Sequence, residues 1–106
     1  MTLKQLRSAA EEWKSRLGLN DWKITVLRGT KENMAGDEYE GHAYWKPEYS
    51  EATIIVAKGG GLEVLVHEIL HIRLEAHRPC PRKYDPLYER GINALTDAFI
   101  KLKTEK

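Results

Sequence analysis

The stretch from Leu62 to Ala76 is the feature that most limits how this chain can fold. It is mostly apolar and contains the pentapeptide His67-Glu68-Ile69-Leu70-His71. At 3.6 residues per turn, its leucine, isoleucine and valine side chains cover most of a helix surface. The two histidines fall about 40° apart and belong to one polar sector. We therefore predict a helix that is buried on most sides and against which the rest of a small domain packs.

The spacing within this pentapeptide predicts a metal site. Two histidines four residues apart on a helix can bind one Zn²⁺, while the glutamate between them reaches a water on the metal. Random placement of the chain's four histidines and twelve glutamates would give HExxH roughly 0.016 times in a chain of this length. A chance pair of surface histidines would suit a helix with a solvated face better than this one. We interpret His67 and His71 as zinc ligands and Glu68 as a general base.

Length and composition limit the other possibilities. With 106 residues, 42% of them hydrophobic, we expect a single domain spanning residues 1–106. The net charge of +1 gives no reason to expect nucleic acid or an anionic membrane as a partner. Residues Met1 to Gln5 lack an apolar signal core, and no segment has the roughly eighteen apolar residues that a membrane span needs. A single cysteine, Cys80, suits a reducing compartment, so we expect a cytoplasmic protein.

The chain before the HExxH segment predicts one helix and three strands. A first helix from about Leu3 to Leu17 is expected, with Thr2 and Gln5 as a capping box and Gly18 as its stop. Strands are predicted where β-branched or aromatic residues alternate or cluster, at residues 22–27, 41–45 and 51–57. The polar segment 29–37 is expected to be a loop, and the glycines at 59–61 a tight turn. The three strands should form a small sheet.

Two helices complete a predicted α+β layout in the order α-β-β-β-α-α. The HExxH helix should end near His77 or Arg78, because Pro79 disfavours helical geometry in the residue before it. The last helix is predicted from about Asp85 to Leu102. Its predicted buried stripe consists of Tyr88, Ile92, Leu95, Phe99 and Leu102.

A catalytic zinc site usually has three protein ligands, so a third is needed. Four residues are candidates by chemistry and position: Glu89, His77, Asp85 and Cys80. Glu89 borders the apolar stripe of the last helix, which the short proline-rich loop can fold back against the HExxH helix. On a continuous helix, the ring of His77 would lie about 9 Å further along the axis than that of His71.

The chain resembles a known family at these residues. HEILH followed by a glutamate on the next helix resembles the gluzincins. The short α-β-β-β-α-α order is similar to their minimal members, the minigluzincins, and to related small metallopeptidase-like proteins of phages and prophages. The resemblance implies a zincin-like fold, zinc bound by His67, His71 and Glu89, and Glu68 as general base.

Two features of related families can be compared with this sequence: the residue that orients a metal-binding histidine and the third metal ligand. Asn93, four residues after Glu89, stands where larger gluzincins often carry an aspartate that orients a metal-binding histidine, and Asp97 is an alternative. SprT-like proteases are also similar in layout, but their third ligand is typically a later histidine. No histidine follows His77 in this sequence.

These features predict a zinc metalloendopeptidase that acts on a peptide or protein substrate. A zinc-activated water would attack the peptide carbonyl while Glu68 accepts its proton. In the enzymes that the chain resembles, an edge strand beside the site pairs with extended substrate, and the resemblance implies that an edge of this sheet does the same. Tyr84, Tyr88 and His42 are candidates for stabilising the oxyanion, although each also suits a packed or solvent-facing role. The alternative is a zinc-stabilised binding or regulatory module without catalysis, which would need no general base.

Overall fold

Three helices and a three-stranded sheet follow one another in the predicted order. The computed structural model describes residues 1–30, 40–75 and 86–104, apart from the side chains of residues 86–88 and 104. Its elements are α1 (Leu3–Arg16), β1 (Lys23–Arg28), β2 (Gly41–Lys46), a 3-10 turn (Pro47–Tyr49), β3 (Glu51–Val56), α2 (Leu62–Glu75) and α3 (Pro86–Thr104). The predicted α+β layout is confirmed.

The ends of α1 are set by local sequence signals. The Thr2 hydroxyl accepts a hydrogen bond from the backbone N–H of Gln5 at 3.1 Å, and the Gln5 side chain accepts one from the Thr2 N–H at 2.8 Å. This is the predicted capping box. After the helix, Gly18 adopts a φ of +74°, which L side chains rarely adopt. Between these ends, Leu6 and Trp13 are buried against the rest of the core.

The last strand along the chain occupies the centre of the sheet. The strand order is β1-β3-β2, with β1 parallel and β2 antiparallel to β3. Val26 and Ala43 both lie opposite Ile54, so these three residues share the inward face of the sheet. The β-branched run of β3 therefore occupies the central strand, which has a neighbouring strand on each side. Most of the predicted loop at 29–37 falls outside the described residues.

The helix α2 is buried on most sides, as its composition predicts. It packs against β2, β3, α1 and α3. Its buried residues are Leu65, Val66, Glu68, Ile69, Leu70 and Ile72. Although α2 is apolar, no helix within the described ranges is long and apolar enough to cross a membrane. The predicted end of α2 near residues 77–78 lies outside those ranges.

The buried face of α3 agrees with the predicted one at Ile92 and Phe99 and differs from it at Leu95 and Leu102. Leu95 and Leu102 are 41% and 63% exposed, whereas Ile92 and Thr96 are 1% and 3% exposed. The Thr96 hydroxyl can be buried because it donates a hydrogen bond to the Ile92 carbonyl oxygen at 2.8 Å. The helix is therefore rotated towards the side that carries Glu89. This rotation directs Glu89 at α2.

The glycine-rich turn between β3 and α2 sets where α2 begins. Gly59 has a φ of +90°, and the N–H of Gly60 donates to the carbonyl oxygen of Ala57 at 2.9 Å. The Arg28 guanidinium donates to the carbonyl oxygens of Ala57 at 3.3 Å and Gly60 at 3.0 Å. The predicted tight turn is thus present, and a side chain from β1 holds it in place.

Candidate metal centre

Three side chains from α2 and α3 converge at the junction between these helices. Glu89 of α3 places one carboxylate oxygen 2.8 Å from His67 Nε2 and the other 2.8 Å from His71 Nε2. The two Nε2 atoms lie 3.2 Å apart. All three side chains are largely shielded, with exposed fractions between 12% and 21%. Two imidazoles and a carboxylate therefore point their electron-pair donors at one small volume.

This set of donors fits a divalent metal ion. Tetrahedral ligands about 2.0–2.1 Å from zinc lie about 3.3 Å from one another. The separation of the two Nε2 atoms, 3.2 Å, is close to that value, and the nitrogen-to-oxygen separations of 2.8 Å are somewhat shorter. His67, Glu68 and His71 also offer ligand atoms that all lie within 4.8 Å of one another. Glu68 and Glu89 each offer a carboxylate to this group. Among the contacts of the described residues, the carboxylate that contacts both Nε2 atoms is that of Glu89.

Each histidine has a further polar neighbour outside this donor set. His71 Nδ1 lies 2.6 Å from Glu75 Oε2. The His67 side chain hydrogen-bonds to the side chain of Asn93. Of the two residues that the sequence offered for this purpose, Asn93 makes the contact and Asp97 is exposed. Sequence reasoning missed Glu75, although its position four residues after His71 would have shown that the two share a helix face.

Glu68 differs from the neighbouring carboxylates in its surroundings. It is 6% exposed, and its Oε2 atom accepts no hydrogen bond from the described residues. Burial raises the pKa of Glu68 to about 7, the negative charges of Glu89 and Glu75 add to the rise, and His71 opposes it. A buried carboxylate without a donor has an unused site for a proton near neutral pH.

His67 is held in the neutral form that metals require. Burial lowers the pKa of His67, and the nearby His71 lowers it further. The Glu89 carboxylate and the hydrogen bond to Asn93 act in the opposite direction. Metal binding requires an unprotonated ring nitrogen, so a lowered pKa keeps His67 available as a ligand.

The remaining candidates from the sequence lie elsewhere or outside the described residues. Five candidates for the third ligand or the oxyanion lie outside the described residues and side chains: His77, Cys80, Tyr84, Asp85 and the side chain of Tyr88. His42 lies on β2, and alternation along the strand directs it to the sheet face opposite Gly41. Its ring stacks on Tyr44 at 5.9 Å, on the face away from α2.

Fold and site together define an α+β protein with a candidate metal centre between two helices. Comparison of the chain with protein-family profiles, curated proteins and solved structures gives no match. The His-Glu-x-x-His group is compatible with the resemblance to gluzincins. Membership of the gluzincin family remains a prediction. The candidate metal centre is inferred from the positions of its own side chains.

Gly41 allows β2 to approach α2 beside Glu68. A Cβ atom at position 41 would lie 2.7 Å from Val64 Cγ1, 3.1 Å from the Ile55 carbonyl oxygen and 3.4 Å from Glu68 Cγ. Gly41→Ala should therefore lower the free energy of unfolding by about 1–3 kcal/mol. Gly91 has open space around it within α3, so Gly91→Ala should raise that free energy by about 0.5–1 kcal/mol. Chemical denaturation of both variants tests the contact, and a stable Gly41→Ala variant would contradict it.

The raised pKa of Glu68 predicts how pH affects the metal-free protein. Its folded pKa of about 7 exceeds the ordinary value of 4.5. The stabilising contribution of the protonated carboxyl is therefore fully present below pH 4.5 and is lost as pH rises through 7. Relative to Glu68→Gln, metal-free wild type should lose up to about 3 kcal/mol of unfolding free energy over this range. Denaturation of both proteins in chelator across this pH range provides the measurement, and parallel pH profiles would contradict the prediction.

Proposed function

We propose that this protein is a zinc-dependent metallopeptidase in which His67, His71 and Glu89 bind the metal and Glu68 is the general base. The observation that carries the proposal is the buried carboxylate of Glu68, whose Oε2 has no hydrogen-bond partner among the described residues, beside three converging ligand side chains. Burying such a group costs stability. A proton-transfer role gives a reason for the cost, whereas a purely structural metal site gives none.

The donor set supports zinc as the metal. Two imidazole nitrogens and one carboxylate form a common catalytic zinc site, in which the fourth position is left for water. When bound, zinc would lower the pKa of that water and polarise the substrate carbonyl. His67 and His71 contribute their Nε2 atoms from one helix, and Glu89 contributes its carboxylate from another.

Glu68 would move the proton in the reaction. Its carboxylate accepts a proton from the attacking water as the water oxygen bonds to the peptide carbonyl carbon. When the carbon–nitrogen bond breaks, the same proton passes to the leaving amine, and Glu68 returns to its carboxylate form. A pKa of about 7 lies near the operating pH of a general base at neutrality. The absence of a donor to Oε2 among the described residues leaves this oxygen free to accept.

We propose that the metal centre acts on a peptide or protein substrate. The strand β2 packs against α2, the helix that carries Glu68. A Cβ atom built at position 41, at the start of β2, would lie 3.4 Å from Glu68 Cγ. An extended peptide could add to an edge of the sheet through backbone hydrogen bonds and bring a carbonyl towards the metal centre. The closeness of the sheet to Glu68 supports a substrate of this kind.

The second candidate is a zinc-stabilised binding or regulatory module without catalysis. One observation favours it: the candidate ligands come from both α2 and α3, so a bound metal would link these helices. Metal binding and folding would then be coupled. The two functions differ in their need for Glu68.

A cleavage assay on the full chain tests the proposal. The zinc-loaded protein is incubated with casein, then treated with a chelator, and zinc is added back. We expect cleavage that disappears with the chelator and returns with one equivalent of zinc. Zinc binding without cleavage of casein or of a mixed peptide library would favour the structural module. Failure to bind zinc would remove both candidates.

A further inference from the structure

We propose that Glu75 is a positioning residue for the metal centre, and that it holds His71 in the orientation and tautomer that present Nε2 to the metal. This inference rests on the proposed zinc site. Glu75 is not itself among the proposed ligands, and no atom of it is required to touch the metal or the substrate.

The contact between Glu75 and His71 is short and shielded. Glu75 Oε2 lies 2.6 Å from His71 Nδ1, and both side chains are 12% exposed. The two residues are four positions apart on α2, so the helix itself fixes their spacing. An ionised carboxylate only accepts hydrogen bonds, so the Glu75 contact of 2.6 Å favours a proton on Nδ1 over one on Nε2, which lies 2.8 Å from Glu89. The electron pair of the neutral ring is then on Nε2, the atom that faces Glu89 and His67.

The two histidines are supported unequally. The partner of His67 is the neutral amide of Asn93, whose residue is exposed on α3. The partner of His71 Nδ1 among the described residues is a carboxylate on its own helix. A charged acceptor forms the stronger hydrogen bond and makes the ring a better electron-pair donor. Removing Glu75 should therefore weaken metal binding more than removing Asn93.

If Glu75 only stabilised the helix, removing it would change the stability of the protein and not its zinc affinity. An ion pair with this spacing on a helix contributes a few tenths of a kcal/mol to stability. Its loss would slightly lower the melting temperature of the metal-free protein and leave the zinc affinity unchanged. The decisive measurement is therefore metal affinity, compared with the stability of the metal-free form.

The experiment measures zinc affinity by competition with a chromophoric chelator. We expect Glu75→Ala to weaken binding by about 10–100-fold, the usual effect of removing a group that orients a ligand. Glu75→Gln retains an acceptor oxygen and should recover most of the affinity. Asn93→Ala should lose less than Glu75→Ala. Glu63→Ala removes an exposed glutamate from the other end of the same helix and should leave the affinity unchanged.

A measurement on the unmodified protein keeps the test independent of how the variants fold. Long-range ¹H–¹⁵N spectra of the metal-free wild type should show His71 protonated at Nδ1, because zinc on Nε2 would impose that tautomer with or without Glu75. A proton on Nε2 instead, or wild-type affinity in a folded Glu75→Ala variant, would overturn the inference while leaving the zinc site intact. If the wild type itself binds no zinc, the proposed function fails first, which is a distinguishable result.

Discussion

Replacing Glu68 with glutamine is expected to reduce peptide hydrolysis by about 10²–10⁴-fold while zinc affinity stays within a few-fold of wild type. The amide is similar in size and can occupy the same buried position, but it cannot accept the proton of the attacking water. It also removes a carboxylate that is 6% exposed and whose Oε2 has no donor in the described part of the chain, so the fold should not weaken near neutral pH. The measurement is kcat/KM on a fluorogenic peptide, with the zinc content of each preparation determined in parallel.

Glu63→Gln is the matched control for this variant. It makes the same chemical change on the same helix, but at an exposed position in the first turn. Its activity should be that of the wild type. Wild-type activity in Glu68→Gln would contradict the assignment of the general base. Loss of zinc from Glu68→Gln would instead indicate that Glu68 is a ligand, as its position in the His67, Glu68 and His71 group also permits.

Replacing Glu89 with alanine is expected to lower zinc affinity by at least about 100-fold, more than the loss of an orienting residue. The carboxylate contacts both Nε2 atoms at 2.8 Å, so its removal takes away the donor from α3 and a negative charge from the site. Hydrolysis at limiting zinc should fall in proportion. Competition with a chelator of known affinity measures the effect, and circular dichroism of the metal-free variant checks its fold.

Asp97→Ala is the control for Glu89, because it removes an exposed carboxylate from the same helix. Its zinc affinity should be unchanged. Unaltered affinity in Glu89→Ala would contradict the proposed ligand set. The ligand would then have to be sought among the sequence candidates His77, Cys80 and Asp85, each of which can be replaced by alanine in turn.

The features that sequence predicted best are those encoded within a few residues. The capping box of Thr2 and Gln5 and the stop at Gly18 depend on local hydrogen bonds and on backbone conformation, so they are present as expected. The pairing of His67 with His71 follows from helix geometry alone, once the segment is recognised as a helix. The order of helices and strands depends on similar local patterns.

The features that sequence did not specify depend on contacts between distant residues. The parallel pairing of β1 with β3 is not visible in the alternation of either strand. The predicted buried stripe of α3 is confirmed at Ile92 and Phe99 but wrong at Leu95 and Leu102, which are exposed, because a count of apolar side chains ignores polar groups that are satisfied internally. Thr96 is such a group, since its hydroxyl donates to the carbonyl of its own helix. The rotation that buries Thr96 also brings Glu89 to the histidines.

The stoichiometry of zinc in the purified wild-type chain tests the central claim most directly. The protein is loaded with zinc, passed through a desalting column and analysed by elemental mass spectrometry beside a measured protein concentration. The convergence of His67, His71 and Glu89 predicts one tightly held zinc ion per chain. A chain that folds and yet retains no zinc would contradict the metal centre and the proposed peptidase together.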